Sequence, residues 1–223
     1  MLTHDQERLG ATGSLQFQPI DSLIFSLDGL FADFDATRQE DFLEAVSFSR
    51  TGTGKPQTIV RDGAIASNGN LVYGLFDDVD LRSESRYDEM QTRFSQFTLK
   101  GDWQVADRFR LIGQVGHARS NFDNPIQTTI TLDRLNSDGY SWDFRDDDRL
   151  PGFGYGFDVE SAANWNFANG QSEIRLRPNT SDNLYVSRTL DGIWDFSDSV
   201  QLKGGLQSRN YKFSTTEFRR TSE

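Results

Sequence analysis

Apolar and polar residues alternate one for one over six stretches of this chain, and the six stretches fall into three matching pairs. Between Arg8 and Gln18, Leu9, Ala11, Gly13, Leu15 and Phe17 share one parity, while Arg8, Thr12, Ser14, Gln16 and Gln18 share the other. A period of two belongs to a strand with one apolar and one polar face. Leu23, Phe25, Leu27, Gly29 and Phe31 repeat it against Ser26 and Asp28, with Ile24 and Leu30 as exceptions. Ser95, Phe97, Leu99, Gly101 and Trp103 form the next face, then Phe109, Leu111, Gly113 and Val115. The last pair is Leu190, Gly192, Trp194 and Phe196, then Val200, Leu202, Gly204 and Leu206.

Each pair turns at an Asp that follows an aromatic residue by four positions: Phe17 and Asp21, Trp103 and Asp107, Trp194 and Asp198. Two positions past each Asp an apolar residue opens the next strand: Leu23, Phe109 and Val200. Asp and Ser are turn residues, and Pro19 cannot donate to a ladder, so each junction reads as a hairpin. A repeat of about 90 residues is too long for a solenoid or propeller unit. The fold class expected is all-β, an antiparallel up-and-down meander. Its strands are placed at about 7–18, 22–35, 88–104, 108–122, 184–196 and 199–213. Long connections at about 36–87 and 123–183 should hold short strands at Glu44 to Ser49, Leu71 to Phe76, Thr128 to Leu132, Tyr140 to Phe144 and Ser172 to Arg177. Tyr87, Met90, Phe94 and Phe97 also fall at helical spacing, but the alternation from Ser95 onward favours a strand.

Alternation does not say which way the apolar face points. Short turns at one end and long connections at the other suit an outer-membrane barrel. Phe17, Trp103 and Trp194 all sit at the short-turn end, where an interfacial aromatic girdle lies in such barrels. Four or five alternate apolar positions match strands of roughly 9–11 residues crossing a bilayer. The opposite face, with Arg8, Asp28, Lys100, Asp102, Arg110 and Lys203, is polar enough for a wet lumen. Against this, five glycines thin the apolar face. Arg188 also falls on it, where a mid-bilayer cation costs about 2–4 kcal/mol. Arg188 is therefore expected above the bilayer or beside a register shift.

Composition narrows the function. The 223 residues carry a net charge of −11 and no cysteine. An acidic chain does not suit sequence-independent nucleic-acid binding, so no nucleic-acid partner is expected. Without Cys there is neither a disulfide framework nor a thiolate metal site. No apolar run is long enough for a transmembrane helix, and the opening residues do not read as an export signal. Catalytic motifs such as G-x-S-x-G, H-E-x-x-H and the P-loop are missing. Of the two histidines, His4 and His117, the second sits on the apolar parity and reads as interfacial. No catalytic, cofactor or metal residues are expected. The acidic clusters Asp77, Asp78 and Asp80, and Asp143, Asp146, Asp147 and Asp148, match no calcium loop and read as solvated charge partly neutralised by Arg145 and Arg149. The aromatics Tyr140, Trp142, Phe144, Phe153, Tyr155 and Phe157 either build a small core for their loop or stack on a ligand. Tyr140, Trp142, Phe144 and Tyr155 are the candidate ligand residues. Asn179-Thr180-Ser181 matches a glycosylation sequon, without weight in a bacterial setting.

The segments "RLGATGSLQFQPIDSLIFSLDGLFADFD" and "VSRTLDGIWDFSDSVQLKGGLQSRNYKF" resemble strand–turn–strand units of TonB-dependent outer-membrane receptors, and "SWDFRDDDRLPGFGYGFDVESAANWNF" is similar to a long extracellular loop of that family. The resemblance implies a Gram-negative outer-membrane barrel of about 22 strands, closed by a plug and driven by the TonB complex. No plug or TonB-contact segment is read in the chain. The stretch Arg219-Arg220-Thr221-Ser222-Glu223 is not an aromatic-ended final strand. The expectation is thus a receptor segment whose partners are outer-membrane lipid and, through the parent, plug, TonB complex and a scarce small ligand (a siderophore, cobalamin or an oligosaccharide). Such a segment would not transport on its own. Two alternatives stand beside it. One is a complete small outer-membrane barrel with a structural or adhesive role. The other is a soluble ligand-binding β-barrel, in which Leu15, Phe25, Leu99, Leu111 and Leu202 would face one buried core.

Overall fold

The computed structural model describes residues 1–49 and 58–219. In chain order the elements are β1 (Leu2–Ile20), β2 (Leu23–Ala45), the one-turn helix α1 (Val46–Ser49), β3 (Ile59–Ile65), β4 (Leu71–Asp77), β5 (Val79–Ala106), β6 (Phe109–Ser137), β7 (Tyr140–Asp143), β8 (Gly152–Gly154), a 3₁₀ turn at Ala162–Asn164, β9 (Ile174–Leu176), β10 (Asn179–Ser197) and β11 (Val200–Glu217). The fold is all-β and antiparallel. The long strands lie in the order β1-β2-β5-β6-β10-β11, with β9 added beside β6, and β3-β4-β7-β8 form a second sheet. The three hairpins turn through two residues each: Asp21-Ser22, Asp107-Arg108 and Asp198-Ser199. Among the described residues no ladder joins β1 to β11, so the long strands do not close on themselves.

Two compact units share the chain. A hairpin unit comprises His4–Arg38, Asp88–Gln127 and Arg177–Glu223; a loop unit comprises Met1–Thr3, Gln39–Tyr87 and Thr128–Leu176. Strands β1, β2, β5 and β6 contribute residues to both.

All six expected strands are present, and all are longer than expected. β5 and β6 run for 28 and 29 residues, so the long connections shrink to 46–78 and 138–178. The alternation fades where both faces become polar, which hid these extensions. The rival helix through Tyr87 and Met90 does not form; those residues belong to β5. Of the loop strands, Leu71 to Phe76 and Tyr140 to Phe144 correspond to β4 and β7, and Ser172 to Arg177 to the shorter β9. Thr128 to Leu132 is the interior of β6, not a separate strand. Glu44 to Ser49 is corrected: β2 ends at Ala45 and the chain coils into α1, where Val46 is fully buried. β3 and β8 were not anticipated. Within the expected connection 36–87, residues 50–57 lie outside the described residues, as do Arg220 to Glu223 of the terminal stretch.

The core sits in the loop unit. Phe76, Val79, Leu81 and Tyr140 are buried together, with Ala45, Trp142, Tyr155, Phe157 and Trp165 packed against them. In the hairpin unit the apolar parity is open instead. Leu15 is 66% exposed and Leu202 51%. The soluble-barrel alternative required these side chains in a core, and they are not in one.

Candidate functional site

The register defines the open apolar face row by row. Across β6, β10 and β11, Trp194 stands beside Phe109 and Leu202, Gly192 beside Leu111 and Gly204, and Leu190 beside Gly113 and Leu206. Paired residues share a face, so these side chains form one continuous surface. On β2, β5 and β6 it continues as a shallow apolar hollow of about 490 Å³ lined by Phe25, Leu99, Trp103, Leu111 and Val115. The glycines do not leave it bare. A ring edge of Phe97 lies 3.4 Å from where a Cβ of Gly29 would stand, Phe25 lies 3.3 Å from that of Gly101, and Phe109 lies 3.6 Å from that of Gly192. Aromatic rings laid over glycines of neighbouring strands restore apolar cover and help pin register.

Phe17, Trp103 and Trp194 occupy corresponding places near the three two-residue turns, and all are exposed. The Trp194 indole meets Phe196 edge-on at 5.4 Å. Arg188 is aligned with Val115 and Ser208, and β10 keeps an unbroken register with β6 from Asn179 to Trp194. The only irregularity between β10 and β11 falls at Asp195/Ser197, so no register shift removes Arg188 from the apolar parity.

The opposite face of the hairpin unit is hydrogen-bonded laterally. Arg110 grips Asp102 with two bonds of 2.6 and 2.5 Å, Ser14 donates to Asp28, and Gln201 donates to Asp195 at 2.7 Å. The Arg8 guanidinium lies 4.8 Å over the Phe34 ring. Lys203 is exposed there, and Lys100 half-buried.

In the loop unit the four candidate ligand aromatics divide. Tyr140 is buried in the core, and Trp142 and Tyr155 pack against it. Phe48, Phe76 and Trp142 meet at centroid distances of 4.7 to 5.2 Å. Phe144 is half-buried at the sheet margin, where its N–H donates to the Val72 carbonyl at 2.7 Å. Burial raises the phenol pKa of both Tyr140 and Tyr155. The structure therefore gives this cluster a packing role; ligand contact is left to whatever meets its exposed members, such as Phe153. Gly156, at φ +74, closes the segment over Asp138, where a Cβ would collide with the Asp138 carbonyl oxygen.

Four acidic residues of the clusters, Asp77, Asp80, Asp143 and Asp147, are each tied down individually. Asp77 accepts the Gly139 N–H at 2.9 Å and pairs with Arg61, in that order the causes of its lowered pKa. Asp80 is fully buried and accepts the Asn136 N–H at 3.1 Å. Asp147 accepts the N–H groups of Arg149 and Leu150, so Arg149 acts through its backbone here. Asp143 is held by the Arg145 side chain at 2.8 and 2.5 Å and by its N–H at 3.0 Å, which lowers its pKa from 3.8 to about 2. A depressed carboxylate contributes stability above its unfolded pKa and loses it as pH falls through the folded one. The Asp143 contribution is accordingly complete above 3.8 and fades toward about 2. A carboxyl-carbon NMR titration should give a midpoint near that lower value, and Arg145→Ala should return it toward 3.8. A native midpoint at the ordinary value would refute the pairing. No set of three acidic or His side chains able to hold a metal ion occurs among the described residues.

Sequence reading missed the buried network of the loop unit. Arg82, 3% exposed at its side chain, donates to Asp133, which is wholly buried, at 2.9 Å. Arg82 also donates to the Gln171 carbonyl at 2.9 Å, and Ser172 donates to Asp133. Arg82 and Asp133 lie 51 positions apart, and Asp133 and Ser172 lie 39 apart, so no local spacing announces the cluster. No protein-family model matches this chain, and no curated protein does.

Proposed function

We propose that this chain forms part of the wall of an outer-membrane β-barrel of the TonB-dependent receptor kind, a non-catalytic element of a system that takes up a scarce small ligand. The observation that carries the reading is the open apolar face of the hairpin unit. Six antiparallel strands hold most of their apolar side chains on one side, exposed or half-exposed, and turn through two residues at one end only. A large contiguous apolar patch marks a surface meant to be covered. Here Phe17, Trp103 and Trp194 stand at one margin of it, where one of the two aromatic girdles of a membrane barrel would lie.

The receptor part of the proposal rests on the resemblance of the strand and loop segments. Six strands are fewer than the eight or so a membrane barrel needs, which favours a segment of a larger wall over a complete small barrel. In that setting the longer connections would meet ligand outside the cell. The polar face, with Arg8, Asp28, Lys100, Asp102, Arg110 and Lys203, would meet lumenal water and a plug supplied by the parent.

Single-tryptophan versions of the chain, refolded with vesicles containing brominated lipid, test the membrane reading. Trp103 and Trp194 should be quenched strongly, and Trp142 and Trp165, packed in the loop unit, should not. Equal quenching of all four, or of none, would refute lipid contact at the girdle.

A further inference from the structure

We infer that the outward face of β6, β10 and β11 carries a binding patch for the phosphate of an anionic lipid, built from Arg119, Arg188 and Lys212 above the apolar rows. The inference rests on the membrane reading above.

Leu184 of β10 is aligned with Arg119 on one side and Lys212 on the other. Neighbouring strands are about 4.8 Å apart, so the two cations rise from backbones about 10 Å apart. Arg188 lies four residues nearer the turns on the same parity of β10, about 13 Å along the strand. All three project from the face that holds Leu190, Leu202 and Leu206, because the register is unbroken between them. Arg119 already holds Asp182 at 2.7 Å, with Asn121 on the same carboxylate. Among the described residues neither Arg188 nor Lys212 takes an ion pair. The patch thus keeps two net positive charges in a chain whose total is −11.

Its height selects the occupant. Ten residues separate Trp194 from Leu184, about 33 Å along the strand and about 23 Å upright at a 45° tilt. That matches the roughly 25 Å apolar band of an outer-membrane barrel. With the tryptophan row at one interface, the Arg119–Lys212 row falls at the other, among headgroups. Arg188 starts about 9 Å lower, in a hollow formed with Leu190, Leu206 and Ser208. A long cationic side chain rooted in apolar surroundings lifts its charge to the interface, here toward the same phosphate. The acyl chains of that lipid then cover Leu190 and Leu206. This accounts for a cation that the membrane reading alone leaves unexplained.

The test compares the full chain on vesicles of phosphatidylcholine and on vesicles of phosphatidylcholine with phosphatidylglycerol in equal parts, at matched ionic strength. About fivefold for each of two net cations gives roughly twenty-five-fold tighter binding to the anionic vesicles. Net charge alone would drive the opposite preference. Arg188→Gln combined with Lys212→Gln should abolish the preference and leave binding to neutral vesicles intact, whereas Arg188→Lys should retain it. Far-UV circular dichroism checks that the variants fold. Equal binding to both vesicles, or a preference that survives the double substitution, would overturn the patch while sparing the membrane reading. Binding to neither vesicle would overturn both. Release of anionic vesicles by inorganic phosphate would overturn the lipid assignment in favour of a free-phosphate site.

Discussion

Arg82→Ala should destabilise the loop unit by about 3–5 kcal/mol, the cost of leaving one member of a buried ion pair without its partner. Asp133 has no exposed surface, and Arg82 is its only cation among the described residues. The Ser172 hydroxyl would remain, but one hydroxyl does not offset a buried carboxylate. The same guanidinium holds the Gln171 carbonyl, beside the point where Glu173 and Thr131 exchange backbone and hydroxyl bonds. Losing it should therefore free the 166–176 stretch from the margin of β6. Amide hydrogen exchange reads this directly, since Thr131 N–H is bonded to the Glu173 carbonyl at 3.0 Å and should lose protection in the variant. The paired replacement Arg82→Met with Asp133→Leu should cost less than Arg82→Ala, because it removes both charges together. A single variant within about 1 kcal/mol of the native chain would show that water reaches Asp133 and that the network is not buried in solution.

How far this architecture could be read from residues alone differs between the two units. In the hairpin unit, side-chain parity is a local property of a strand. Leu15, Leu99, Leu111 and Leu202 therefore announced both the strands and their common face, and Asp21, Asp107 and Asp198 announced the turns. Strand ends were misjudged because β5 continues through Asp80, Arg82, Glu84, Arg86 and Asp88, where the usual apolar partner positions are charged and the burial is polar. The helix α1 escaped notice because four residues give too little periodicity, and what places it is contact with distant residues, Phe48 meeting the rings of Phe76 and Trp142. In the loop unit the informative contacts join residues tens of positions apart. Aromatic density suggested a small core around Tyr140 and Trp142, yet nothing in the sequence selected Asp133 as the partner of Arg82. The cations at Arg119 and Lys212 were legible in principle. Extending the apolar parity by two or three more positions past Val115 and Leu206 reaches them.

Leu99→Lys should weaken insertion of the folded chain into neutral phosphatidylcholine vesicles by about 2–4 kcal/mol, the cost of a lysine near the middle of the lipid face of a barrel. Leu99 lies four residues inside Trp103 on β5, in the apolar hollow it shares with Phe25 and Leu111. Lys100, its neighbour, is a native lysine on the opposite parity, so the strand itself tolerates the side chain and only the face distinguishes the two positions. Thr98→Lys, on the polar face, should accordingly change insertion little. Val105→Lys, on the apolar parity but beyond the tryptophan row, should cost about 0–1 kcal/mol, as near an interface. Denaturant titrations of refolding into vesicles would yield the three values. In water the same Leu99→Lys exchange is made at a side chain already 47% exposed, where a surface substitution usually shifts stability by no more than about 0.5 kcal/mol. The penalty must therefore appear with lipid and vanish without it. A penalty of equal size at Leu99 and Val105 would mean that the apolar face meets another protein surface, since only a bilayer grades the cost of charge by depth.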